Sequence, residues 1–370
     1  MKKSKICPLC NKACIIQYKN YKNIWKCTCG YEESLSNNTY VSSKGKILRN
    51  DNVPLKTKRK RTNSPIITIE DKTPPKSLHI LNIEPISTIH LHTNIINSLL
   101  LLNDHTIASC SNDQTISNPF NPSHSSTITN RDTNIYSLCQ LSDDTIVSCS
   151  LDRSICIGTY TIPSAHDNWI FKVLSLPYNR IASCSSDFTI KIWNSAPPYS
   201  INPIKVLVGH TNYVTSLVYA KEKDVLISGS HDQTLRVWSM SSYQCVRVVR
   251  KVDCRDTNAL CIVDGDRVIA GKRNGFTLVN FSNGKVEDDV NDESLGFVNC
   301  FLRLRDNKTI LCGCSKEEFC FYDIESRKYI KTYKKGYHMD SVNDRVKIDE
   351  ETFASCSKDK TIKIWKYYLF

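Results

Sequence analysis

The sequence predicts an all-β fold in which seven four-stranded units close into a ring behind a small basic N-terminal module. Three observations carry this reading: a phrase recurring at about forty-residue intervals, strand and turn chemistry inside each interval, and positive charge confined to the first fifth of the chain. The 370 residues exceed one ordinary core, and 40% hydrophobic with 23% charged residues describe a soluble globular chain. No stretch approaches the roughly 18 unbroken apolar residues of a membrane span. The start, Met-Lys-Lys-Ser-Lys-Ile-Cys, has no apolar signal core behind its basic flank. The 18 cysteines are therefore expected as thiols or metal ligands in a reducing intracellular compartment, nucleus or cytoplasm, and a disulfide scaffold is excluded.

The module comes first in the chain. Residues 1–76 hold 17 Lys/Arg against 5 Asp/Glu, so the whole +12 lies there and the remainder is neutral. Attraction to nucleic acid or acidic partners would come from this arm. Within it, Cys7-Pro-Leu-Cys10 and Cys27-Thr-Cys29-Gly30 bracket sixteen residues. Two cysteine pairs on tight turns can present four thiolates tetrahedrally, the arrangement a structural zinc needs. Residues 15–18 and 23–26 between them read as a hairpin. Residues 1–34 resemble a zinc ribbon, with Asn11 where a knuckle glycine would stand and the second pair one residue short. Cys14 is a substitute ligand. One structural zinc is expected, because so small a core cannot hold thirty residues and zinc contributes about 10–16 kcal/mol in such peptides. A RING-type ligase is disfavoured, since it needs eight ligands and only five cysteines and no histidine precede His79.

Residues 35–84 are rich in Ser, Asn, Lys and Pro and poor in aromatics, and read as a flexible basic linker. Its cluster Lys58, Arg59, Lys60 and Arg61 resembles a nuclear localisation signal, a solvated basic run being the alternative.

Residues 85–370 form the repeat array. SCSNDQTI (109–116), SCSSDFTI (183–190) and SCSKDKTI (355–362) are near copies, SCSLDRSI and SGSHDQTL are close variants, and two further units are degraded. The second positions, Cys110, Cys149, Cys184, Gly229, Gly271, Gly313 and Cys356, are spaced by 39, 35, 45, 42, 42 and 43 residues. A fixed period of this size means a solenoid, an array or a propeller. In the fourth unit, residues 204–208, 213–219, 225–230 and 234–238 are β-branched or aromatic runs separated by turn chemistry. Four strands per unit without a helical period favour radial closure, a seven-bladed β-propeller.

These residues resemble the WD-repeat family. The resemblance covers residues 85–370 and implies, in each complete blade, a buried chain of hydrogen bonds from Trp to Ser to His to Asp. The matching positions are His166, Ser183, Asp187 and Trp193 in unit three, His210, Ser228, Asp232 and Trp238 in unit four, and His338, Ser355, Asp359 and Trp365 in unit seven. Ser, His and Asp together also suggest a hydrolase triad. Catalytic groups need occur only once, whereas this trio recurs with its Trp, so the structural role prevails and no enzyme is expected. The family architecture also implies that residues 86–91 close the ring against residues 361–366, leaving no exposed edge. Several units depart from the pattern. The Trp position holds Pro119, Gly158, Asn280 and Tyr322 in units one, two, five and six, and Pro119 implies a short or bulged third strand. Residues 265–273 imitate a phosphate loop, but the spacing is one residue too long, Arg273 replaces Ser/Thr, and the stretch reads as a strand.

Propellers of this family bind peptides or protein faces on the narrow upper surface. The usual contact positions lie three and five residues after the His position and just before the turn Asp. The position five after the His gives Asn97, Tyr136, Phe171, Thr215, Leu260, Asn299 and Asn343. Tyr136, Trp169, Phe171, Tyr213 and His231 then gather on blades two to four, and adjacent exposed aromatics mark a binding surface. The sequence thus describes a non-enzymatic scaffold: a propeller binding a protein or peptide, and a zinc-binding basic arm contacting nucleic acid or a nucleic-acid-associated complex. A substrate adaptor in a ubiquitin-ligase or other multiprotein assembly is the alternative. No membrane and no small-molecule substrate are expected.

Overall fold

The computed structural model describes residues 80–369, except 119–132, 254–258, 317–318 and 332–337, together with the backbone of six short strands between residues 5 and 48. The chain divides into two units, Met1–Thr73 and Pro74–Phe370. The first carries a six-stranded antiparallel meander: Lys5–Ile6, Ala13–Lys19, Lys22–Lys26, Glu32–Ser34, Tyr40–Val41 and Ile47–Leu48. The hairpin read at residues 15–18 and 23–26 is its central pair, with Ile15 opposite Lys26 and Tyr18 opposite Asn23. The sheet runs on past residue 34 through two strand pairings in the stretch read as linker. Tyr40-Val41 and Ile47-Leu48 supply the aromatic and β-branched residues those strands need. The two cysteine pairs and the cluster at residues 58–61 lie outside the described residues.

The second unit is a seven-bladed β-propeller. Its sheets are four-stranded and antiparallel, except that blade one shows three strands among the described residues. Blade four is representative: Val214–Ala220, Val225–Ser230, Thr234–Ser239 and Cys245–Arg250, from the inner strand outward. The first run read in the fourth unit, 204–208, proves to be the outer strand of blade three, Lys205–Leu207. The third strand of blade one is only Ile116–Ser117. The pseudo-phosphate loop lies largely on the strand Arg267–Lys272 of blade five.

Each sheet is apolar on both faces, so it must be covered by the blade before and the blade after it. A separate core cluster fills each of the seven blade–blade interfaces. No sheet closes on itself; closure belongs to the ring. The inner strands contact one another in order, and the last, Val342–Lys347, meets the first, Ile96–Leu101. The outer strand of blade seven is Ile80–Ile89, paired with Ile362–Leu369. It starts before the expected residue 86, because the eight-residue strand Ile362–Leu369 offers a longer partner and Ile83 is buried against Trp365 and Tyr367. Pro85 stands opposite Trp365 at a register shift, on an outer strand where a missing N–H is tolerated.

The position that sets the repeat phase has a packing cause. Cys149 Sγ reaches the carbonyl of Ile170 in the next blade at 3.8 Å, and Cys356 Sγ reaches that of Ile96 at 3.6 Å. At Gly271 an added Cβ would stand 2.0 Å from the Val298 carbonyl. The neighbouring inner strand thus passes within reach of the thiol at Cys149 and Cys356, and at Gly271 so close that a side chain has no room. The twelve described cysteines are free, and burial pushes the Cys110, Cys184 and Cys356 thiols far up, so these are protonated packing residues.

Candidate functional site

The three Trp–Ser–His–Asp sets come together as hydrogen-bonded chains. In blade three, Trp193 Nε1 donates to Ser183 Oγ at 2.8 Å, Ser183 Oγ meets His166 Nε2 at 2.7 Å, and His166 Nδ1 meets Asp187 Oδ2 at 2.8 Å. Blade four repeats this at 2.9, 2.7 and 2.8 Å, and blade seven at 2.7, 2.7 and 2.9 Å. Donor logic fixes the protons. The carboxylate only accepts, so a neutral imidazole carries its proton on Nδ1, and Nε2 then accepts from the serine hydroxyl, whose oxygen accepts from the indole N–H. Burial lowers the His166 and His210 pKa values, only partly offset by their Asp partners, so both rings are neutral near pH 7. Burial works to raise Asp187, Asp232 and Asp359, yet hydrogen bonds from the His and Thr side chains outweigh it and hold them well below the usual carboxylate range. Each serine has no exposed surface. The chains pin strands together and present nothing to a substrate.

Blade one carries a chain the motif reading passed over, because its Trp position is Pro119. His92 Nε2 meets Ser109 Oγ at 2.8 Å and His92 Nδ1 meets Asp113 Oδ2 at 2.9 Å. The signal was present: His92 precedes Ser109 by 17 residues, as His166 precedes Ser183. Blades five and six use other polar clasps. Lys272 Nζ and Thr277 Oγ1 share Asp289 Oδ1 at 2.5 and 2.7 Å, and the Tyr322 hydroxyl donates to Asp288 Oδ2 at 2.6 Å.

The upper face holds the connections before each inner strand and the turns carrying the Asp. Four of the five predicted aromatic residues form one run across blades two to four. Ring centroids lie 5.9 Å apart for Tyr136–Phe171, 6.4 Å for Phe171–Tyr213 and 5.4 Å for Tyr213–His231. Phe188 joins the run at 5.9 Å from Tyr213. It follows the turn Asp of blade three, held at a φ of 72°, two residues beyond the contact position that precedes that Asp. Trp169 is 50% exposed and Phe188 40%. Trp169 stands at the same blade end, joined to blade three's turn by its carbonyl, which accepts from Ser186 N at 2.9 Å. Among the described residues it makes no ring contact with the run.

Opposite the aromatics, the position five after the His holds asparagine and does different work. Asn97 Nδ2 donates to the Ile135 carbonyl at 2.7 Å, Asn299 Nδ2 to that of Val342 at 3.0 Å, and Asn343 Nδ2 to that of Ile96 at 2.9 Å. Each amide clasps its blade to the next. The upper face is therefore split, with amide clasps over blades six, seven and one and a continuous aromatic run over blades two to four. Between them a cavity of about 330 Å³ opens at the mouth of the central channel, walled by Tyr136 and Phe171 on one side and Asn299 and Asn343 on the other.

Fold and face together define the protein as a β-propeller with one differentiated upper surface. Comparison with known proteins gives the repeat type: the model of the WD domain, G-beta repeat, matches residues 83–117, 158–194, 201–239 and 337–366. The chain thus carries WD repeats. The matched stretches hold the four histidine chains, while blades five and six, with their substitute clasps, fall outside them. Among curated relatives, the nuclear distribution protein nudF of Aspergillus niger is 32% identical over 100 residues, 27% of this chain and 22% of that protein. Pre-mRNA-processing factor 19 of Bos taurus is 24% identical over 157 residues, 42% of this chain and 31% of that one. The chain spans less than a third of either relative. The crystal structure of the WD40 beta propeller domain of Doa1 superposes with a TM-score of 0.63 at 16% identity, covering 77% of this chain and 97% of that one, a likeness of fold. Among the described residues no helix is long and apolar enough to cross a membrane.

Proposed function

We propose that this protein is a non-enzymatic interaction scaffold whose propeller binds a protein or peptide through the aromatic run on blades two to four. The carrying observation is the continuity of Tyr136, Phe171, Tyr213 and His231 across three blades, with Trp169 and Phe188 exposed beside it. Exposed aromatics of this kind supply the anchors of protein interfaces, where truncating a central one costs about 2–4 kcal/mol. The test is capture of cellular partners by the full chain, wild type against Trp169→Ala/Tyr213→Ala. Loss of specific partners with an unchanged melting transition supports the reading, and an unchanged partner set refutes it.

For the arm, the reading is a structural zinc held by Cys7, Cys10, Cys27 and Cys29, with Cys14 as a substitute ligand. The meander's register favours it: Ile6 pairs with Ala13 and Lys26 with Glu32, so the strand ends flanking both cysteine pairs lie at one end of the sheet. Zinc there would supply the folding free energy that a small core lacks. The +12 of residues 1–76 suits phosphate contacts, so the arm would bind nucleic acid or a nucleic-acid-associated complex, with affinity falling steeply as salt rises. Salt-insensitive docking of the arm onto protein would favour an assembly adaptor instead. Residues 58–61 would direct the chain to the nucleus, and substituting them should leave it cytoplasmic.

A further inference from the structure

We propose that the cavity at the channel mouth takes an acidic side chain, so that the partner of the aromatic face is a peptide carrying Glu or Asp beside an apolar residue. This rests on the reading of the aromatic run as the partner site, and adds the chemistry of what docks there. Three charged side chains line the cavity: Lys172, Asp344 and Lys358. Asp344 is already satisfied. One oxygen accepts from the Ser98 hydroxyl at 2.8 Å and the Leu99 N–H at 3.0 Å, and the other faces the Arg345 N–H at 2.9 Å and its guanidinium at 3.3 Å. Among the described residues neither the Lys172 nor the Lys358 ammonium has a hydrogen-bond or ion-pair partner. The uncompensated charge in the cavity is therefore positive.

The amides sharpen this assignment. Asn97 uses both N–H groups within the protein, on Asn112 Oδ1 and the Ile135 carbonyl, so toward a ligand its side-chain carbonyl remains as an acceptor. Such acceptors suit the N–H groups of a peptide backbone, while Tyr136 and Phe171 suit an apolar neighbour. A cationic side chain would meet two unpaired ammonium groups and a carboxylate with no free lone pair. An acidic one would gain charge-assisted hydrogen bonds, which contribute about ten- to a hundredfold in affinity.

The experiment uses the full chain and three pools of fluorescent nonapeptides, randomised except for a Leu beside a central residue fixed as Glu, Gln or Lys. Binding is read by anisotropy. The Glu pool should bind at least about tenfold tighter than the Gln pool, and the Lys pool weakest. Lys172→Glu should invert the order toward the Lys pool. Lys358→Glu, at an exposed residue, should shift it the same way and keeps the test decisive if the first variant fails to fold. Equal binding of Glu and Gln pools, both lost in Trp169→Ala/Tyr213→Ala, overturns the acidic anchor and leaves the aromatic site standing. Preference of the wild type for the Lys pool also overturns it. Absence of binding, or binding indifferent to Trp169 and Tyr213, removes the aromatic reading and this one with it.

Discussion

Ser228→Ala is the sharpest probe of what the repeated serine, histidine and aspartate do. In the folded protein Ser228 has no exposed surface, and its Oγ accepts from Trp238 Nε1 at 2.9 Å while meeting His210 Nε2 at 2.7 Å. Removing the oxygen leaves a buried indole N–H and a buried imidazole nitrogen without partners. Each orphaned group costs about 1–3 kcal/mol, so the expected loss is about 2–6 kcal/mol. Ser216 supplies the control. It is a serine of the same blade and almost as buried, yet among the described residues its Oγ has no hydrogen-bond partner. Ser216→Ala should therefore be neutral or slightly stabilising. The assay is urea denaturation of the full chain followed by tryptophan fluorescence, comparing midpoints at unchanged slope. A cycle with Trp238→Phe should show a coupling of about 1–2 kcal/mol between Ser228 and the indole. A Ser228→Ala loss no larger than that of Ser216→Ala, or zero coupling to Trp238, refutes the clasp and reopens the catalytic reading.

Other outcomes follow from the same geometry. Stability should decline below pH 6.5, the ordinary histidine value, and be level from there up to the alkaline range where unfolded thiols ionise and the buried ones do not. His92, His166 and His210 have lowered folded values, so the unfolded chain binds more protons as pH falls. Asp187, Asp232 and Asp359, held low in the fold, add a further loss below 3.8. A urea midpoint at pH 5 equal to or above that at pH 7.5 contradicts this. Asp344→Ala should cost about 3–5 kcal/mol, because it leaves the Leu99 N–H across the closure between blades seven and one, and the Arg345 guanidinium on its own strand, without their carboxylate; a loss under about 1 kcal/mol in thermal denaturation would count against it. Purified protein should hold near one zinc per chain by elemental analysis, lost in Cys7→Ser/Cys10→Ser, and equal metal in both would remove the ribbon.

Much of the architecture was legible because a repeat writes its period into the chain. Cys110, Cys149, Cys184 and Cys356 mark the phase, and they do so for a local physical reason: the next blade's inner strand crosses within reach of that side chain. The complete histidine chains in blades three, four and seven were legible for a similar reason, since each lies within one blade at fixed spacing. The reading stopped where a member was missing. Blade one lacks the Trp yet builds the His92–Ser109–Asp113 chain, because histidine, serine and aspartate need only each other to satisfy their polar atoms.

The sequence by itself determined the number of blades and their phase, and through its resemblance to the WD-repeat family it implied the pairing of a preceding strand into the last blade and the aromatic character of one side of the upper face. Tertiary structure alone decided what the matching positions do on the other side. Asn97, Asn299 and Asn343 occupy the same place in their blades as Tyr136 and Phe171, but their amides turn to carbonyls of the following blade. It also decided that Asp344 is saturated while Lys172 and Lys358 are not. Those pairings join residues as far apart as 247 positions, Asn343 with Ile96. A repeat fixes what happens within its own period; which donor finds which acceptor across a blade boundary is set by packing the ring shut.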